Sequence, residues 1–509
     1  MNGFFLSALH ESRRKQIAAC IASVFCLAAP TATLAVTVTS CLDDGGGGTL
    51  RSIVTGAAEG ATVDFAGLDC TATSNKITLA NSYIKVNQNS LTIDGSGAVH
   101  PLSIDASGLY RGYADSRVLT HVGTGTLAIT KLTLENGYIL HVGPTSYGGC
   151  LWSAGNVTLS SSTVTNCSIT HNAALTPLGG AVYVKGNLIL QHSTVSQGYA
   201  TGTANANGGG VYVKGNLSVK YSTIAGNKAT GPTDGAGGAA FVRGNVSTKY
   251  STISGNSATN RAGGVFVNGN ATFLTTTVSG NSAKFFAGID AFSFTPGGNT
   301  FQLGNSTISG NTATSSTGGI YVNSGKAYFY NSTIAFNNAP TVAGVLVDSA
   351  YGAIAVELQS TLMSNNSNGG SDFDFKITTA NANAITINGG NVVTPANNLI
   401  RATNAPLPND TRVSCPLLGP LSNNGGLTKT HALGSTSSAI DHGNTVGTGG
   451  GAGNYDQRGS ATVNGVRDYI RQSRPVGSID PAVADIGAYE VQQDDEIFDS
   501  FFEGCNSLI

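Results

Sequence analysis

The chain has 509 residues, of which only 11% are charged, and its formal net charge of −2 gives no electrostatic ground for a nucleic-acid or membrane-surface partner. Its 68 glycines lie among Val, Ile, Leu and Tyr that recur at strand spacing, which excludes plain low-complexity disorder. The length allows several ordinary domains or one long repetitive one.

Residues 1–35 read as a signal peptide. Arg13, Arg14 and Lys15 make a basic start, "IAACIASVFCLAAP" is a short apolar run, and "TLA" ends at Ala35 with a residue suited to cleavage. A transmembrane anchor is the competing reading, but the run is too short to span a bilayer comfortably. Cys20 and Cys26 leave with this segment. The other six cysteines are an even number in an exported chain, which suits disulfides.

Residues 36–90 form a capping segment and the first coils. Within them "TLRSIVTGAAEG" has a helix-like apolar pattern that can plug an open coil. From 91 to 396 the chain repeats. Aligned on "GG…ST[VI]xGN", the Thr of the second half falls at Thr163, Thr194, Thr223, Thr252, Thr277, Thr307, Thr333 and Thr361, in steps of 31, 29, 29, 25, 30, 26 and 28 residues. These steps are too short for four-strand propeller blades, and helix formers are missing. Each step holds two or three short strands separated by Gly and Asn turns, the length of one turn of a parallel β-helix. Roughly a dozen coils predict a rod about 55–60 Å long.

In "NLSVKYSTI", Leu217 and Val219 alternate with polar neighbours and point inward, as do Leu188 and Leu190, Ala271 and Phe273, and Ala327 and Phe329. The Asn after "STIxG" recurs as Asn227, Asn256, Asn281, Asn311, Asn337 and Asn365, which predicts a ladder of side-chain amides, with a tolerant turn residue as the alternative. Paired glycines such as Gly263 and Gly264 mark tight corners. The repeat fades after Gly370, and the non-repetitive segment 397–490 is expected to close the far end of the rod, followed by an acidic tail over 491–509.

Several stretches resemble the choice-of-anchor Q family of exported bacterial β-helix proteins. These are "VTVTSCLDDGGGGTLRSIVTGAAEGATVDFAGLDC", "RVLTHVGTGTLAITKLTLENG" and "GGCLWSAGNVTLSSSTVTNC", then in order "NNLI", "GPLSNNGGLTKTHAL", "SAIDHGN", "DQRG" and "DIGAYE". The resemblance covers nearly all of 36–490. It implies an all-β, single-stranded right-handed parallel β-helix with an N-terminal cap and a loop-rich C-terminal cap on the outside of the cell, which the ending of the chain suggests is Gram-negative, and it implies no shared activity. The chain departs from the pattern at Cys415, where the family usually has aspartate. Its ending, "DEIFDSFFEG", is similar to acidic endings of some exported proteins. The family pattern pairs Cys41 with Cys70 and Cys150 with Cys167, and leaves Cys415 for Cys505 by elimination, with buried free thiols as the alternative.

Glycoside hydrolysis needs two carboxylates close together, and β-helix lyases need acidic Ca²⁺ clusters with a base. Residues 148–370 contain only Asp234, Asp290, Asp348 and Glu357, in different copies and at different phases, so no adjacent pair is expected. No catalytic residue, metal site or cofactor is assigned. The outward parity of "VYVKGN" groups Tyr183 with Lys185, Tyr212 with Lys214, and Phe241 with Arg243, and Phe266 continues the row. Lys220 and Lys249 make a second matched pair. This stripe is the candidate ligand-binding face, with a polysaccharide or cell-surface glycan as partner. A plain solvated face is the alternative. In the cap, Asp441, Asp456, Arg458, Asp485 and Glu490 read as an ion-pair network, with a metal or acid–base cluster involving His431 and His442 as the competitor. The sequence thus predicts an exported adhesin-like or glycan-binding protein. A lyase or glycosidase with its site outside the regular coils is the second reading, and a structural spacer is the third.

Overall fold

The alternation in "VYVKGNLSVKYSTI" sends Val211, Val213, Leu217, Val219 and Ile224 to one side of the chain, and all five lie buried in one common core. A computed structural model describes residues 35–109, 115–140, 147–171, 175–293, 298–323, 325–367, 373–379, 385–388, 397–443, 455–460, 468–470, 485–489 and 491. Residues 1–34, where a signal peptide is expected, lie outside the described residues, as do Glu490 and Cys505.

The molecule is a parallel β-helix. A representative coil runs through strands Val211–Val213, Leu217–Lys220 and Thr223–Ala225. Equivalent strands stack into three parallel sheets. Sheet 1 has eleven strands, from Ile84–Val86 to Phe375–Thr378, and sheet 2 has thirteen, from Ala35–Thr37 to Ile385–Ile387. Sheet 3 gathers shorter pieces such as Thr223–Ala225 and Lys228–Thr230. Register places like above like: Val182 with Val211, Leu188 with Leu217, Thr194 with Thr223. Eleven coils at about 4.8 Å per strand make a stack about 50 Å long.

Corners are where a coil strands its backbone polar groups, and side-chain ladders satisfy them. Nδ2 of Asn227 donates to Oδ1 of Asn256 at 2.9 Å, and the chain of bonds continues through Asn281, Asn311 and Asn337. These amides are buried inside the coil, and Asn227, Asn256 and Asn281 each also hold a backbone carbonyl of the preceding coil. The last rung differs from expectation. Thr333 pairs with Leu362, so Thr361 takes the place of Ser332, and Asn366 rather than Asn365 receives the bond from Asn337. Asn365 sits instead at φ 59°, the left-handed corner held by Gly226 and Gly255 in earlier coils. The ladder ends on Asp374, whose Oδ1 accepts from Nδ2 of Asn366 at 2.8 Å. Burial pushes the Asp374 carboxyl up to about 7.

Two further ladders were not legible as such. Buried Ser193, Ser222 and Ser251 each accept the backbone N–H of the equivalent residue one coil earlier. On the outside, Oδ1 of Asn156, Asn187, Asn216 and Asn245 accepts the backbone N–H of the equivalent Asn one coil later.

The N-terminal end is plugged as predicted. Helix α1, Leu50–Gly56, is capped by Thr49 and buries Leu50 and Val54 in the core cluster that includes Ile84 and Val86. Nε2 of Gln88 donates to the carbonyls of Val54 and Ala57 at 3.0 and 2.7 Å, closing the C-terminal turn of the helix. Buried Asp43 binds Arg51 through two 2.7 Å contacts. Although burial alone would raise it, Arg51 and the Ala80 amide hold the Asp43 carboxyl below the usual carboxylate range. Disulfides Cys41–Cys70 and Cys150–Cys167 are both present. No helix among the described residues is long and apolar enough to cross a membrane.

The C-terminal segment does more than close the far end. Ala405 and Leu407 pack against the core, and the chain then runs back along the outer flank of sheet 3. There Leu418, Leu433, Ala439, Ile486, Tyr489 and Val491 cover Ala335, Leu362 and Leu399. The reason lies in the register: Leu362 follows Thr333 in a column held by Thr in the earlier coils, and Ala335 follows Ser309, so this flank is apolar and needs a cover.

Candidate functional site

The parity expected for "VYVKGN" holds: Val182, Val184, Val211 and Val213 belong to the main core, and Tyr183 and Tyr212 lie on the outer side of sheet 1. The aromatic row is nevertheless not a free surface. Tyr183, Tyr212 and Phe266 are 1, 3 and 4% exposed. The rings stack on one another, with centroids 5.5 Å apart for Tyr183–Tyr212, 5.2 Å for Tyr212–Phe241 and 4.4 Å for Phe241–Phe266. Tyr147 closes one end at 4.9 Å, and the Arg261 guanidinium covers Phe266 from 5.1 Å. Rings stacked face to face have spent their faces on each other, so Tyr183, Tyr212, Phe241 and Phe266 cannot offer the platform the sequence suggested. Burial pushes the Tyr183 phenol up to about 12.

The cations of the same motif meet solvent, although the Lys185 ammonium also lies over the Trp152 ring at 5.3 Å. Lys185, Lys214 and Arg243 are exposed at the corner between sheets 1 and 2, one per coil. Their backbone amides are bonded in step: Lys214 N–H donates to Val184 O and Arg243 N–H to Val213 O, both at 2.9 Å. Two residues on, Asn187, Asn216 and Asn245 form an exposed column whose Oδ1 atoms are used by the ladder. Their amide NH₂ groups have no acceptor among the described residues. Across sheet 2, Gln191, Lys220 and Lys249 pair in register and are all exposed. None of Lys185, Lys214, Lys220, Arg243 and Lys249 makes an ion pair among the described residues.

The corner that follows carries an aromatic ladder that sequence reading did not single out. His192, Tyr221 and Tyr250 all adopt φ near 50°. Left-handed backbone at such residues costs about 1–2 kcal/mol each, and it turns the side chains outward. Their rings stack at 4.8 and 5.1 Å, and Lys220 and Lys249 lie over the Tyr221 and Tyr250 rings at 5.2 and 5.1 Å. The available signal was the residue before each "ST". Further up the same column, Lys131 and Ser161 line a cavity of about 440 Å³ with His100, Ser96, Thr133 and Thr163.

Three of the four coil acids do come together, against expectation, because one loop column folds over the face of sheet 1. Asp290 stands in register between Phe266 and Tyr321. Its Oδ2 lies 2.7 Å from Nε of Arg261, Asp234 acts electrostatically on both groups, and Tyr321 Oη donates to Asp348 at 3.3 Å. The Arg261 guanidinium is also 4.6 Å from the Phe292 ring and 5.5 Å from that of Phe286. It fills the place of the aromatic that Asp290 omits. Burial pushes the Asp290 carboxyl up to about 6, with Arg261 opposing, and Asp290 has no exposed surface. A group so enclosed packs the coil and does not reach a polymer.

Of the cap acids, Asp456 and Asp485 are engaged internally, whereas Oδ1 of Asp441 is buried without a hydrogen-bond partner among the described residues. Asp456 and Arg458 form a buried pair at 2.8 Å beneath the Tyr489 ring, which lies 4.1 Å from the guanidinium. Asp485 accepts from the backbone N–H groups of Asp441 and Val491 at 2.8 and 2.7 Å. Among the described residues no group of three or more His, Cys, Asp or Glu is placed to hold a metal ion. Neither a family model, nor a curated protein, nor a solved structure matches the chain.

Proposed function

We propose that this chain is an exported surface or secreted protein that holds an acidic glycan along the outer face of sheet 2. One observation carries the reading: Lys185, Lys214, Arg243, Lys220 and Lys249 crowd three consecutive coils with no carboxylate paired to any of them. Like charges stacked about 4.8 Å apart repel, and at surface exposure an anion laid along the columns relieves that repulsion. The basic leader and apolar run of residues 1–35 and the two disulfides support passage to an oxidising compartment. The reading is of binding rather than cutting, since among the described residues no carboxylate stands in these columns and Asp290 is fully buried.

The test is a panel of acidic and neutral polysaccharides incubated with the purified protein, reading both retention and newly formed sugar ends. Acidic polymers are retained, neutral ones are not, and the Lys185→Gln, Lys214→Gln, Arg243→Gln triple variant loses retention. New sugar ends would make the protein an enzyme, and retention of no polymer would leave a structural spacer.

A further inference from the structure

The binding face is periodic in a way that selects among acidic polymers. Resting on the glycan-binding reading above, we infer that the ligand is a linear polyanion with one carboxylate on every sugar, lying parallel to the coil axis. Three columns of donors run along this face, each repeating once per coil. The first is Lys185, Lys214 and Arg243, and the second is the free amide NH₂ of Asn187, Asn216 and Asn245. The third is Lys220 and Lys249, with Gln191 in register before them.

Every group in these columns donates, and among the described residues no carboxylate interrupts them. The axial repeat of about 4.8 Å is fixed by backbone hydrogen bonding and cannot stretch to suit a ligand. A pyranose unit in an extended chain advances by nearly this distance, so a charge on each unit meets a cation at each coil. A polymer charged only on alternate sugars leaves every second cation unmatched and still repelled by its neighbours. The motif behind the arrangement is Lys/Arg-Gly-Asn. The cation and the amide lie two residues apart and are both exposed, while the Asn Oδ1 is consumed by the ladder and its NH₂ has no acceptor among the described residues.

The experiment compares three probes at equal chain length and low salt. They are a homopolyuronate such as polygalacturonate, a polymer with uronate on alternate sugars such as hyaluronan, and single-stranded polynucleotide. The homopolyuronate is expected to bind about tenfold more tightly than the alternate polymer. Asn216→Asp keeps the oxygen that accepts the Asn245 amide, so the coil stays closed, but it replaces the outward donor with a negative charge. That variant is expected to lose the preference together with most of the affinity. Melting temperature is measured alongside, and Lys220→Gln, which leaves the Asn column untouched and is expected to weaken binding of the homopolyuronate, serves as the second variant.

Equal or tighter binding of the alternate polymer would overturn the one-charge-per-sugar rule while leaving acidic-glycan binding intact. Tighter binding of the polynucleotide than of either glycan would overturn both, and so would failure to retain any of the three.

Discussion

Acidification should loosen the C-terminal strap by protonating one imidazole. His431 lies in the strand Thr430–Leu433, buried between the strap and the coil, with Nδ1 2.7 Å from Gly419 O and Nε2 2.8 Å from Ser309 Oγ. A carbonyl only accepts, so Nδ1 carries the hydrogen and Nε2 accepts from Ser309. Burial pushes the imidazole down to about 4 from an ordinary value of 6.5. Between those pH values the detached strap binds a proton that the docked strap refuses. The contribution is therefore whole above pH 6.5 and falls as pH drops to 4, by about 3 kcal/mol in all. Asp290 and Asp374 act in the opposite direction, since burial raises both, to about 6 and about 7. Their contribution is full below about pH 4 and is lost as pH rises through those values, so global unfolding mixes opposing effects. The discriminating assay is local hydrogen exchange at Thr430–Leu433, corrected for intrinsic rate. Going from pH 7 to pH 5 should favour opening by about 2 kcal/mol, roughly thirtyfold, and His431→Gln should abolish the dependence. Equal protection at the two pH values, or an unchanged dependence in His431→Gln, would refute the reasoning.

Denaturant titration should separate the two candidate final rungs of the amide ladder. Asn366→Ala orphans partners on three sides and should cost about 3 kcal/mol or more, whereas Asn365→Ala removes a left-handed corner residue and the bond from Ser364 Oγ and should cost about 1–2 kcal/mol; the reverse order would restore the rung to Asn365. Val182→Asp places a charge in the core and should abolish cooperative melting, while Tyr183→Ser should leave a folded coil with a gap in the stacked row. If Val182→Asp folds normally, the assigned parity is wrong. Arg261→Met should destabilise by about 3–5 kcal/mol because it leaves Asp290 buried and unpaired, and adding Asp290→Leu should recover much of the loss. A double variant as unstable as the single one would show that the pair matters for something besides charge.

The amino-acid sequence by itself determined the coil. Period-2 alternation at Leu217 and Val219 sets inside from outside, and a repeat of 25 to 31 residues sets one turn, because stacking demands that each copy satisfy the next. The amide ladder through Asn227 to Asn337 was equally legible, since a buried corner polar group needs a partner one coil away. Its last rung was not, because "STLM" and "STIA" look alike as letters and only the pairing of Thr333 with Leu362 shows the one-residue offset. Tertiary structure decided which outward residues meet solvent. Tyr183 and Lys185 share a parity, yet stacked rings bury the first and leave the second exposed. It also decided that Asp234, Asp290 and Asp348, spread over more than a hundred residues, gather around Arg261 and Tyr321. Parity is a property of the local backbone and can be read along the chain. Exposure depends on what later folds across that backbone, and on this chain the loops and the strap that do so carry no repeat to announce them.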